Sequence, residues 1–128
     1  MHDGGGTTVE MVIVMPLVLT VVLLLAQAAL YLHAAHVAQA TAAHALSAAR
    51  VQGGTATAGQ AEAERVLDQL GRGPLRSTHV MVKRDAERAE VRVSGNASSV
   101  LPFLHLPVRA HSAGPIEKFA PLHLAEGP

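Results

Sequence analysis

Charged side chains vanish between Glu10 and Arg50, and the apolar positions inside that gap are nearly continuous. From Met11 to Ala26 the only polar side chain is Thr20. The run continues through Gln27 to Leu32. About 20 such residues in a helix cross the roughly 30 Å of a bilayer's hydrocarbon core. A backbone in lipid has no water to bond, so such a segment must be helical. The pattern predicts a membrane helix over about residues 11–31. Pro16 sits one to two turns inside it, where a membrane helix tolerates proline and can kink.

The pattern then changes without a break. Residues 34–49 are alanine-rich, with Gln39, Thr41, Ser47 and the histidines His36 and His44 among them. No glycine interrupts the chain between Gly6 and Gly53. Alanine is the strongest helix former. One helix over residues 6–52 is therefore expected, roughly 70 Å long at 1.5 Å per residue. Its first half suits lipid, and its small-residue second half suits close packing. Residues 53–59, rich in glycine and threonine, read as a linker.

The remainder has the periodicities of a small soluble domain over residues 60–119. Ala63, Val66, Leu67 and Leu70 form one stripe of a short helix, with Gly71 as its cap. His79 to Arg84 alternates, with Val80 and Val82 on one face. Residues 85–88 read as a hairpin turn. Ala89, Val91 and Val93 alternate with Glu90 and Arg92. Residues 94–99 read as a loop. Leu106, Val108 and Ala110 form a third alternating run, which Pro107 confines to a sheet edge. A three-stranded sheet is marginal alone, and the alanine-rich half of the long helix is its natural cover. The fold class is thus α+β. A long N-terminal transmembrane helix packs on a small three-stranded antiparallel sheet, with one short extra helix. Residues 120–128 read as a flexible tail.

Composition narrows the function. Ten basic residues balance ten acidic ones, with no basic run, so nothing points to nucleic acid. There is no cysteine, which removes disulfides and thiol chemistry. No nucleophile, base and orienter stand together as an enzyme would need, and no cofactor is implied. His33, His36 and His44 can share one helical face. Their two-turn gap is loose for zinc and no carboxylate is near, so polar relief on the helix, or packing against the sheet, is the better reading. Asn96-Ala97-Ser98 matches a glycosylation sequon, which says only that the loop is exposed.

The lower edge of the apolar run carries a processing signal. A carboxylate at Glu10 is costly unless paired or kept at the interface. Gly4, Gly5 and Gly6 precede it, and a glycine-rich extended stretch is open to a protease. The segment Gly5-Gly6-Thr7-Thr8-Val9-Glu10-Met11, followed by an apolar helix with Met15-Pro16, resembles the type IV prepilins. More narrowly it resembles TadE-like pseudopilins of the tight-adherence (Flp-type) pilus system. Family members typically carry an aromatic residue where Met11 stands, and basic residues in the leader, which is not basic here. The segments Leu101-Pro102-Phe103, Ala110–Ala113 and Gly114–Phe119 are loosely similar to the way these proteins finish.

That resemblance implies a short leader, residues 1–5, cut by a prepilin peptidase after Gly5, so that the mature chain starts at Gly6. Glycines on either side leave the register open by one position, and Glu10 selects Gly5. It implies that Glu10 pairs with the Gly6 amine of a neighbouring subunit; capping its own helix dipole is the alternative. It implies a minor pilin or pseudopilin, single-pass in the inner membrane with an extracytoplasmic C-terminal domain, and able to enter an extracellular pilus. The implied partners are the lipid bilayer, other pilin subunits, the pilus assembly platform and the peptidase. One rival reading stands. Ala26-Gln27-Ala28 after an apolar stretch resembles a signal-peptidase site, which would give a secreted or anchored binding module starting near Ala29.

Overall fold

The charge-free segment and its alanine-rich continuation form one helix, α1, Asp3–Arg50, in the computed structural model. The structure describes residues 3–51, 53–70, 73–101 and 103–117. Helix α2 follows at Ala56–Leu70, and then strands β1 (Leu75–Arg84), β2 (Arg88–Ala97) and β3 (Leu106–Pro115). The strands form an antiparallel meander in the order β1-β2-β3. This is the α+β, pilin-like layout that the periodicity predicts.

Helix α1 divides into two parts by what surrounds it. From Val9 to Leu25 every large apolar side chain is exposed, between 40% and 67%. From Gln27 onward one face is buried: Gln27, Ala34, Val37, Ala38, Thr41, Ala42, Ala45, Leu46 and Ala49. Those positions recur at three- and four-residue steps, the period of one helical face. Their small side chains bring the helix axis close to the sheet, where Ala89, Val91, Val93, Ala97, Val108 and Ala110 meet it. Val80 and Val82 complete the contact from β1 as partly buried residues.

The sheet lies along the second part of α1. At one end, loop residues 98–100 bond to Gln27. At the other, the Arg50 Nε donates to the Pro115 carbonyl at 2.7 Å and the Glu117 N–H donates to the Arg50 carbonyl at 2.7 Å. The lengths agree, since 23 residues of helix and ten of strand each span roughly 35 Å. Arg84 closes the helix end by donating Nε to the Ala49 carbonyl at 2.6 Å. It thereby satisfies a carbonyl that the helix terminus leaves open. Gly53 turns the chain out of the helix with φ of 81°.

Several expectations need correction. Only residues 51–55 connect the helices, because α2 already starts at Ala56 rather than at residue 60. Thr55 is its N-cap, accepting the Ala58 N–H on Oγ1 at 2.9 Å. Gly59, expected in the linker, is buried at the crossing of α2 over α1. A Cβ there would lie 2.9 Å from Val82 Cγ1 and 3.1 Å from the Ala45 carbonyl oxygen. Leu70, expected in the core stripe, is exposed because it ends the helix beyond the covered face.

Residues 94–97, read as loop, are strand, since pairing on both sides of β2 outweighs their low strand propensity. The first strand starts at Leu75 rather than His79. It carries a bulge between Arg76 and His79. Ser77 sits in that bulge at φ of 53°, which breaks the alternation a sequence pattern looks for. Strand β3 is an edge, as Pro107 requires, and runs on to Pro115. The expected roles of Gly71 and of the tail 120–128 lie outside the described residues.

Candidate assembly and anchoring site

The residues of the expected processing signal all fall on the first turns of α1. Gly4 to Gly6 are helical rather than extended. The apolar segment propagates the helix into them, although each glycine costs about 1 kcal/mol relative to alanine. Gly6 is exposed, and a Cβ on it would have no heavy atom within 4 Å. Glu10, one helical turn further on, is exposed among apolar side chains. Gly6 and Glu10 are thus on one face, four residues apart.

Pro16 lies inside the helix. Its ring nitrogen has no hydrogen to give the Val12 carbonyl. Thr20 Oγ1 donates to the Pro16 carbonyl at 2.8 Å, so the one polar side chain of the span bonds back to its own helix. The exposed apolar part of α1 fits a single-pass membrane segment. It is long and apolar enough to cross a bilayer, and none of that stretch is buried in the folded domain.

His33, His36 and His44 are all exposed on α1. Among the described residues no group of three His, Asp or Glu is placed to hold a metal ion.

The junction between the two parts of α1 holds a residue that the sequence had suggested only as part of a cleavage site. Gln27 is 5% exposed. Its Oε1 accepts from Ser99 Oγ at 2.8 Å and from the Val100 N–H at 3.1 Å. Its Nε2 faces the Ser98 carbonyl at 3.4 Å. One amide therefore ties the β2–β3 loop to the helix where the domain begins. The sequence signal was the lone Gln in an apolar run, which fits a buried partner 70 residues away as well as a cleavage site.

The charged groups lie on outer surfaces. The Arg65 guanidinium bonds to Glu62 and holds its carboxyl below the usual value, with His44 adding a weaker pull. On the uncovered sheet face the Arg92 Nε donates to Glu90 at 2.8 Å and His111 lies 3.6 Å away, which lowers the Glu90 pKa. Asp85 Oδ1 accepts the backbone N–H groups of Arg88 at 2.7 Å and Glu87 at 2.8 Å, an Asx turn. These bonds, Arg88's first, depress the Asp85 pKa. Glu90, Arg92 and His111, like Glu62 and Arg65, are paired on open surface.

An exposed apolar helix that becomes the spine of a small α+β domain is a pilin-like layout. Residues 5–47 match the family model described as TadE-like protein. That match supports the resemblance to TadE-like proteins of the Tad pilus system that the N-terminal residues carry. The match covers Gly5 to Glu10, the exposed apolar stretch and most of the alanine-rich stretch, and stops before α2 and the sheet. No curated protein and no solved structure matches the chain.

Proposed function

We propose that this chain is a minor pilin or pseudopilin, a structural or assembly component of a Tad-type pilus with no catalytic role. A prepilin peptidase cuts after Gly5 and leaves Gly6 as the new N-terminus. The span then holds the subunit in the inner membrane, with the sheet domain on the extracytoplasmic side. Glu10 pairs with the Gly6 amine of a neighbouring subunit as the helices bundle. Lipid, other pilin subunits, the assembly platform and the peptidase are its partners. The reading rests on one observation above the rest. The family match begins at Gly5 and runs through Glu10 into a helix whose apolar side chains have no partner in the fold.

The helical state of Gly4–Gly6 fits this reading if that end opens for the peptidase. Three successive glycines make it the weakest part of α1. Burying a carboxylate in a helix bundle is tolerable only where an amine meets it. The rival secreted module is disfavoured by Gln27. Cleavage after Ala28 would remove it and leave the Val100 N–H without its acceptor.

Replacing Glu10 by alanine tests the pairing. The expected result is a processed, membrane-held protein that enters filaments poorly. Unchanged membrane level, processing and incorporation would remove the role given to Glu10.

A further inference from the structure

We propose that the β2–β3 loop, residues 98–105, is a second membrane contact that seats the domain on the bilayer surface through Phe103. This rests on the reading of α1 as a membrane span.

Three observations lead to it. The first is depth. Counted from Met11, about 30 Å of hydrocarbon at 1.5 Å per residue ends near Leu30. Gln27 lies one turn before that point, and Gln27 holds the loop. A loop fastened there is at the hydrocarbon boundary whenever the helix is inserted.

The second is the loop's surface. Phe103 is 77% exposed and Val100 43%. On the helix beside them Tyr31 is 38% exposed and Leu32 57%. Tyr31, Ala28, Leu106 and Pro107 line an almost wholly apolar crevice at the same end. Tryptophan and tyrosine collect at the membrane interface because one end of each tolerates water. Phe103 lacks a polar tip and suits the apolar side of that boundary.

The third is how the loop satisfies its polar groups. Backbone at membrane depth must bond internally. Here the Val100 N–H and Ser99 Oγ bond to Gln27, the Leu101 N–H donates to Ser99 Oγ at 3.0 Å, and the Leu104 N–H donates to the Leu101 carbonyl at 3.1 Å. Arg76 and His105 line a concavity of about 330 Å³ beside the loop, with Ser98, Ser99, Leu101 and Leu104.

The chain has no tryptophan, so single-tryptophan variants report cleanly. Full-length Phe103→Trp, Met81→Trp and Leu19→Trp proteins would be placed in vesicles of phosphatidylglycerol and dibrominated phosphatidylcholine. Position 81 is on the exposed sheet surface, and position 19 is in the span. The expected result is loss of emission by bromine quenching at 103 and 19, with a blue shift at 103, and neither at 81. Quenching at 19 with none at 103 overturns the loop contact and leaves the span intact. A blue shift at 103 that depends on protein density but not on bromine assigns the loop to a second copy and also overturns it. No quenching at 19 overturns the span and with it this inference.

Discussion

Gln27 shows what a single side chain does in this chain. It lies inside the apolar run and is the first described position of the helix to be buried. Replacing it with alanine leaves the Val100 N–H without its acceptor, at a cost of about 1–3 kcal/mol, while Ser99 Oγ keeps its bonds to Leu101. Faster amide exchange at Val100, with exchange at Val91 little changed, is the expected signature. Asp85 makes a different prediction. Its carboxylate is favoured in the folded state by two backbone donors, so its folded pKa lies below the ordinary value of 3.8. The stability it adds is present above that ordinary value and is lost as pH falls through the lower, folded one. Thermal melts should therefore lose midpoint in acid below about pH 4, and Asp85→Asn should flatten that fall. The family resemblance from Gly5 to Glu10 was legible because its spacing is local. Gln27 was not, since its partners lie more than 70 residues away and become neighbours only on folding.

At the scale of elements, hydrophobic period did most of the predictive work. Ala63, Val66 and Leu67 are buried as the stripe predicts, and so are Ala89, Val91, Val93, Val108 and Ala110. The errors fall where a different term governs. Gly59 looked like linker because glycine weakens helices, yet its lack of a side chain lets α2 touch α1. Gly59→Val should therefore destabilise the domain by about 1–3 kcal/mol through overpacking. Leu67→Ala, at a fully buried position, should cost about 2–5 kcal/mol through the cavity it leaves. Denaturant titration of the two proteins checks both signs. The extra length of β1 and β2 was hidden by the bulge at Ser77 and by the small polar residues Ser94, Gly95 and Asn96. Cross-strand pairing, not propensity, holds those positions in the sheet.

For the whole molecule, the account turns on one helix with two environments. Its outer part has no partner in the fold, and its inner part is the floor of the domain. The bonds at Gln27 join the two parts at their boundary. That makes the point of cleavage decisive. The intact mass and N-terminal sequence of the protein taken from its native membrane test this most directly. The account predicts a chain that starts at Gly6 and keeps the apolar segment. A chain that starts near Ala29, released from the membrane, would contradict it.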